Sequence, residues 1–159
     1  MYNRGVKSDQ PKDVINVCVN RKARHDYEII ETFEAGIVLT GPEVKSLREG
    51  RANLKDSYIA FETGEAFLVG AHISPYPHAW HVLQEPERNR KLLLHSREIS
   101  RLSGKVTAKG LTVIPLKIYF KKGRAKVEIA LARGRREYEK KDAIKERIME
   151  REARQAIKG

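Results

Sequence analysis

The sequence predicts a mainly β protein: a small closed barrel of six strands with two or three short helices and a basic C-terminal tail. Three observations lead to this fold class. Several short segments between residues 14 and 132 alternate apolar and polar residues, as half-buried strands do. The 159 residues suit one domain with an appendage. After Ala132 the composition shifts to Ala, Glu, Lys and Arg, which favours helix.

The six predicted strands differ in how clearly they alternate. Residues 66–73 and 125–131 carry an apolar residue at every second position. Four segments rich in β-branched and aromatic residues complete the set: 27–33, 35–39, 57–61 and 111–120. Pro115 predicts an edge position or a bulge in the last of these. Lys121-Lys122-Gly123 predicts a tight hairpin turn, so the final two strands should pair.

Two short helices are predicted between the strands. The first covers residues 42–49, with Pro42 in its opening turn and Gly50 just past its end. The second begins near Ser96, has Glu98 in its first turn and ends near Gly104. Six short strands and two helices cannot all hide their apolar faces in an open sheet. We therefore expect a closed barrel of the oligonucleotide-binding (OB) type over residues 14–132.

The two ends of the chain differ from this domain. Residues 1–13 are polar and predict a disordered leader. Residues 133–159 hold ten Lys or Arg against six Asp or Glu. In a helix Ile144 and Ile148 would share one face while Met149 would lie on another, so little apolar surface could be buried. We expect this tail to be largely disordered when free and helical on RNA or the ribosome; the alternative is a helix packed on the barrel.

The charge indicates the class of partner. The chain has 32 Lys and Arg against 21 Asp and Glu, a net charge of +11, and a polyanion such as RNA suits this balance better than solubility alone requires. No apolar run approaches the ~20 residues of a membrane-spanning helix, and the N-terminus lacks a secretory signal. Cys18 is the only cysteine, so no intramolecular disulfide can form. We expect a soluble cytoplasmic protein without a membrane partner.

Enzyme chemistry finds little support in the sequence. No Gly-rich phosphate-binding motif precedes a predicted helix. Among the histidines only His78 and His81 have a spacing that suggests metal, and Cys18 is the only thiol that could join them. The sequence therefore predicts no catalytic residue, no metal and no cofactor.

A first basic cluster precedes the first predicted barrel strand. Residues 20–27 mix cations, which can contact phosphates, with the rings of His25 and Tyr27, which can stack on unpaired bases. A solvated charged face would explain the cations alone, but the two rings favour RNA contact. The predicted RNA-binding residues of this cluster are Asn20, Arg21, Lys22, Arg24, His25 and Tyr27.

A second basic cluster lies in residues 85–95. Its Arg88, Arg90 and Lys91 could follow an RNA backbone, and the neighbouring leucines would anchor the segment in the core. His95 could stack on a base or cap the following turn. Two further places stay open: Glu34 could accept hydrogen bonds from base edges or order its own loop, and Lys45 and Arg48 on the first helix could meet phosphates or only water.

Four strings together resemble the SmpB family in order and spacing. They are NRKARHDYEIIETFEAGIVLTGPEVKSLREGRANLKDSYI (20–59), GEAFLVGAHISPY (64–76), PERNRKLLLHSREI (86–99) and LTVIPLKIYFKKGRAKVEIALARGRREYEKK (111–141). The resemblance implies an OB-type barrel that binds the tRNA-like domain of transfer-messenger RNA (tmRNA). It further implies delivery to the A site of a stalled ribosome with elongation factor Tu, and a tail that lies in the empty messenger channel. No reaction is catalysed in the family.

The resemblance also implies particular residues. The family's RNA surface maps to Arg24, His25, Tyr27, Glu34 and the 88–95 segment, including Leu93. Its ribosome-binding tail maps to Gly134, Arg135, Arg136, Tyr138, Lys140, Lys141, Lys145, Arg147 and Met149. Many members carry an acidic residue and a tryptophan where this chain has Ile148-Met149. The alternative function is a general single-strand nucleic-acid binder or ribosomal protein with no preference for tmRNA.

Overall fold

The computed structural model describes the backbone of residues 13–158 and their side chains except for 137–140, 142–143 and 156–158. The predicted leader therefore lies outside the described residues, apart from Asp13. In chain order the elements are β1 Val14–Val19, α1 Arg21–Asp26, β2 Tyr27–Ile37, α2 Gly41–Arg48, β3 Ala52–Asn53, β4 Tyr58–Glu62, β5 Glu65–Val69, β6 His72–Ile73, β7 Arg90–Leu93, α3 Ser96–Lys109, β8 Thr112–Lys121, β9 Arg124–Gly134 and α4 Glu137–Lys158.

The protein is mainly β with short helices, as predicted, but the six-stranded closed barrel is wrong. Seven antiparallel strands form one sheet in the order β1-β8-β9-β2-β7-β5-β4, and β3 pairs with β6 separately. The sheet curls until β4 lies against β8. Both edges of β8 are already hydrogen-bonded, one to β1 and the other to β9, so β4 cannot pair there and close a barrel.

Several strands differ from their predicted bounds for local reasons. Residues 27–37 form one continuous strand, with an irregularity in the pairing with β9 between Ile29 and Glu31. Residues 66–73 are divided at Gly70, whose φ of 84° turns the backbone away from the strand. The sequence did not predict β1, β3 or β7 as strands. These three are short or lack a clear alternation, which leaves little periodic signal to find.

The β8–β9 hairpin and its proline are close to prediction. Lys122 and Gly123 both have positive φ, 52° and 79°, as a two-residue hairpin turn of type I′ requires. The register with β9 shifts between Pro115 and Lys117, so the predicted bulge is confirmed. The edge position is wrong, because β8 lies inside the sheet.

Capping residues determine where α2 begins and where α3 ends. Thr40 and Glu43 form a capping box at the start of α2, which covers the predicted residues within one position at each end. Helix α3 continues past Gly104 to Lys109, and Val106 in this second part packs against the core. It ends at Gly110, which has a left-handed backbone conformation. Helix α1 was not predicted; its six residues offer few signals.

The core lies between the concave side of the sheet and the helices α2 and α3. Leu47, Leu68, Leu102, Ile118 and Ile129 are among its fully buried members. A second, smaller cluster lies on the other face of the sheet, where Ala23 of α1 packs on Ile114, Leu116, Ala130 and Ala132. This second cluster fixes α1 to the outer face of β8 and β9.

The tail is helical in this structure from Glu137 to Lys158 and contacts α1. Its apolar residues gain little burial: Ile144 is 40% exposed, Ile148 45% and Met149 67%. This exposure agrees with the prediction that the tail's apolar residues do not build one buried stripe.

Candidate nucleic-acid interface

The outer face of the curled sheet brings together side chains from three strands. Gly36 of β2 lies opposite Lys126 of β9 on one side and Leu93 of β7 on the other. Residues two apart on a strand share a face, so Glu34 and Lys91 point the same way as these partners. Glu34, Lys91, Leu93, His95 and Lys126 line one open pocket of about 560 Å³. We name these five residues the sheet-face site.

Glu34 is held in the site by side chains. The Tyr119 hydroxyl donates a hydrogen bond to Glu34 Oε2, and Lys121 Nζ lies 3.6 Å from the same oxygen. The hydrogen bond from Tyr119, opposed by partial burial and supported by the nearby lysines, holds the pKa of Glu34 below its ordinary value. Burial, together with the Glu34 carboxylate, raises the pKa of Tyr119, so the phenol keeps its proton. Glu34 therefore presents a fixed, ionised acceptor to solvent.

Three other members of the site, Lys91, Leu93 and His95, are exposed, and Lys126 is partly buried. Leu93 is 54% exposed, and it can lie across β2 because Gly36 has no side chain: an added Cβ would stand 3.2 Å from Leu93 Cβ. Lys91 Nζ is 2.7 Å from Glu65 Oε2, an ion pair open to water. The backbone N–H of His95 donates to Glu98 Oε1 at 3.1 Å, so the backbone caps α3 and the imidazole is left exposed.

The first basic cluster is displayed by α1. Because Ala23 packs on the sheet, Arg21, Lys22 and Arg24 point to solvent. His25 Nδ1 lies 2.9 Å from Asp26 Oδ1, which orients the ring. Arg24 and Tyr27 line a second pocket, of about 390 Å³, together with Arg135 and with Glu146, Arg147 and Glu150 of the tail helix.

The two surfaces lie at opposite ends of β2. Tyr27 opens the strand, opposite Gly134 at the end of β9, whereas Glu34 and Gly36 lie close to its end at Ile37. Seven residues of strand separate Tyr27 from Glu34, which is roughly 20 Å at about 3.3 Å per residue. The predicted RNA-binding residues therefore do not form one cluster.

The predicted RNA-binding role is wrong for Asn20 and Arg90, because both side chains are buried and bind partners inside the protein. The Asn20 amide donates to the Pro115 carbonyl at 2.9 Å and to the Leu54 carbonyl at 3.4 Å. Arg90 is 0% exposed. All three of its guanidinium nitrogens have partners: Glu43 Oε2 at 2.8 Å and the carbonyls of Ala71, Glu85 and Pro86. Both side chains are buried and bound within the protein, so RNA cannot reach them.

Arg88 and the α2 cations have intermediate positions. Arg88 binds both oxygens of Glu43, at 3.0 and 2.6 Å, and is partly buried. Lys45 Nζ lies 5.6 Å from the centre of the Tyr76 ring, and the Arg48 guanidinium lies 4.8 Å from that of Phe120. Both α2 cations stay exposed on one flank of the fold.

The tail residues begin where β9 ends. The Arg135 N–H donates to the Asp26 carbonyl at 2.8 Å, which ties the start of the tail to α1. Gly134, Arg136, Lys141, Lys145 and Met149 are exposed. The side chains of Tyr138 and Lys140 lie outside the described residues.

Sequence reasoning missed Lys126 as a member of the sheet-face site and Tyr119 as the buried residue that holds Glu34. Lys126 was seen only as the polar side of an alternating strand. In the structure Lys126 pairs with Gly36, which also pairs with Leu93, so Lys126 lies in the sheet-face site. Pairing of β2 with β9 is a long-range property, and no local motif announces it.

The described part of the chain offers neither a metal-binding cluster nor a membrane-spanning helix. No group of three or more His, Cys, Asp or Glu side chains there is arranged to hold a metal ion. No helix within residues 13–158 is long and apolar enough to cross a membrane.

Comparisons with known proteins agree on one family. Residues 17–159 match the family model described as SmpB protein. An SsrA-binding protein of Syntrophobacter fumaroxidans is 62% identical over 136 residues, 86% of this chain and 84% of that protein. One of Sulfurihydrogenibium sp. is 58% identical over 143 residues, 90% of this chain and 94% of that protein.

A solved structure agrees as well. It is described as "tmRNA-SmpB: a journey to the center of the bacterial ribosome", and one of its chains is 51% identical to this one. The superposition has a TM-score of 0.64 and covers 83% of this chain and 94% of that chain.

Proposed function

This chain belongs to the SmpB protein family, and we propose from that premise that it binds the tRNA-like domain of tmRNA and delivers it to the A site of stalled ribosomes. This delivery serves trans-translation, in which incomplete proteins are tagged for degradation. The protein acts in the cytoplasm as a binding factor and catalyses no reaction. Support comes from relatives named SsrA-binding protein and from the tmRNA-SmpB description of the similar structure.

The observation that carries the proposal is the sheet-face site. Structured RNA is recognised through its shape, its unstacked bases and its phosphates. Glu34 supplies a fixed acceptor for base or sugar donors, Leu93 an apolar contact and Lys91 and Lys126 two cations for phosphates. Such a mixed surface discriminates better than cations alone, which bind any polyanion.

We assign the tail a separate role on the ribosome. The OB-type domain of residues 14–132 binds tmRNA, while the basic tail of residues 133–159 enters the vacant messenger channel and decoding centre. The tail helix buries little apolar surface in this structure, and we propose that it frays in the free protein and is stabilised in the channel. Elongation factor Tu joins through the tmRNA complex. Support comes from the position of the tail. It follows the end of β9, which pairs with the start of β2, and the sheet-face site lies near the other end of β2.

A substitution at Lys126 tests the RNA surface. Lys126→Ala should weaken binding of the labelled tRNA-like domain and lower the slope of log affinity against log salt by about 1, since one phosphate contact is lost. Lys109→Ala, an exposed lysine on α3 outside the site, is the matched control. An unchanged salt slope in Lys126→Ala, measured by fluorescence anisotropy, would contradict the proposed surface.

A further inference from the structure

A loop outside the sheet-face site displays an unusual density of rings. Residues 74–86, which we name the ring loop, carry Tyr76, His78, Trp80 and His81 within six positions. Trp80 is 86% exposed, as is Leu83. The rings meet in two edge-on pairs, Tyr76 with His78 and Trp80 with His81, with centres 5.3 and 5.7 Å apart. A large apolar ring that is left in water is more informative about function than a buried one.

The ring loop is ordered by its own hydrogen bonds. Gln84 accepts from the Tyr76 N–H at 2.7 Å and donates to the carbonyls of Tyr76 and Ala79 at 3.1 and 3.3 Å. Ala79, within the loop, is buried. Trp80 is therefore presented on a framework that is already folded, so a ligand would bind with little loss of loop entropy.

The ring loop contacts α2, which follows the end of β2 near the sheet-face site. Ser46 Oγ donates to the Ser74 carbonyl at 2.6 Å, and Lys45 Nζ lies over the Tyr76 ring. Helix α2 follows the end of β2 that carries Glu34 and Gly36. Residues 87–89 join the ring loop to β7, whose Lys91 and Leu93 belong to the sheet-face site. The tail leaves from the other end of β2.

We propose that the ring loop is a second RNA contact, in which Trp80 stacks on an unpaired base of the RNA bound at the sheet-face site and Lys45 meets an adjacent phosphate. Exposed rings beside a cation are the arrangement that binds unpaired nucleotides, because every base offers a face for stacking. The ring loop ends five positions before Lys91 of the sheet-face site, and in this proposal one RNA molecule spans both. This inference rests on the proposed function and extends the surface for the same partner.

Trp80 provides its own probe, since it is the only tryptophan in the chain. Its emission should be that of a water-exposed indole, and adding the unlabelled tRNA-like domain to the full-length protein should quench it. Trp80→Ala should weaken RNA binding about 5- to 150-fold, the range for one stacked base. Trp80→Phe, which keeps a ring, should lose much less, and Leu83→Ala should bind within about twofold of the parent.

Anisotropy of labelled RNA, recorded in parallel, separates this inference from the proposed function. Bound RNA with unchanged Trp80 emission and an undiminished affinity in Trp80→Ala would overturn the stacking contact and leave the proposed function intact. Quenching by small ribosomal subunits and not by the tRNA-like domain would overturn the choice of partner. A loss of affinity in Leu83→Ala equal to that in Trp80→Ala would indicate a general apolar contact and contradict stacking. Absence of RNA binding would end both proposals.

Discussion

Glu43 explains why neighbouring arginines in one basic cluster have different roles. Partial burial would raise the pKa of this carboxyl, but hydrogen bonds from Arg88, the Thr40 amide and Arg90 outweigh burial and lower it. The charged carboxylate joins the start of α2 to β7. Arg90 is fully buried and binds Glu43 and backbone carbonyls. Lys91, the next residue, points out to the sheet-face site.

A pair of alanine substitutions separates these two roles. Arg90→Ala should destabilise the fold by about 3 kcal/mol, because it removes a buried cation that partners Glu43 and the Ala71 carbonyl and leaves a cavity in its place. Lys91→Ala should cost less than about 1 kcal/mol, since its ion pair is exposed, yet should weaken RNA binding. Urea unfolding and RNA titration of both variants measure the difference. Equal stabilities of the two variants would contradict the structural role of Arg90.

Tyr119 should affect RNA affinity indirectly, by keeping Glu34 ionised. Its hydrogen bond is the largest cause of the lowered pKa of Glu34. A carboxylate with a lowered pKa contributes its charge above its ordinary pKa and loses it only as the pH falls through the lowered value. Tyr119→Phe removes the hydrogen bond, so Glu34 should protonate at higher pH and the acid loss of RNA affinity should move upward in pH.

Tyr58→Phe on β4 is the matched control, because Tyr58 is half exposed and lies outside the pocket. Binding of the tRNA-like domain across a pH series from neutral to acid measures the shift. If Tyr119→Phe and the parent protein lose affinity at the same pH, Tyr119 does not position Glu34.

At the scale of single elements, the sequence predicted the turns and helix ends, whose structure depends on a few neighbouring residues. The β8–β9 hairpin follows from a turn in which two consecutive residues have positive φ, and α2 follows from its proline and capping residues. Helix α1 was not predicted, because six residues are too few to show the periodic apolar pattern of a helix. In β7 the four residues Arg90–Leu93 could not reveal which pair faces the core, and only the sheet determines that.

The tail element supports a prediction about division of labour. Truncation after Gly134 removes α4, whose described apolar side chains are exposed, and leaves the sheet and its core intact. Binding of the tRNA-like domain should therefore be spared, while tagging on stalled ribosomes in a reconstituted translation reaction should be abolished. A truncated protein that still tags would contradict the role assigned to the tail.

At the scale of the whole molecule, pairing across the sheet creates the site. Glu34, Leu93 and Lys126 are far apart in sequence and meet only because β2 pairs with both β7 and β9. The sequence predicted Glu34 and Leu93 through the family resemblance, whereas composition and periodicity left Glu34 open and could not select Lys126. The closed barrel failed at the same scale, because β1 takes the edge of β8 that closure would need.

The central claim is that this surface reads the shape of one RNA. The most direct test is competition: unlabelled tRNA-like domain of tmRNA, ordinary tRNA and single-stranded RNA each displace the labelled tRNA-like domain, at two salt concentrations. We expect the tRNA-like domain to compete best and its advantage to survive the higher salt, since contacts that read shape do not depend on counterion release. Equal competition by all three RNAs, collapsing together as salt rises, would contradict the claim and leave a general basic nucleic-acid binder.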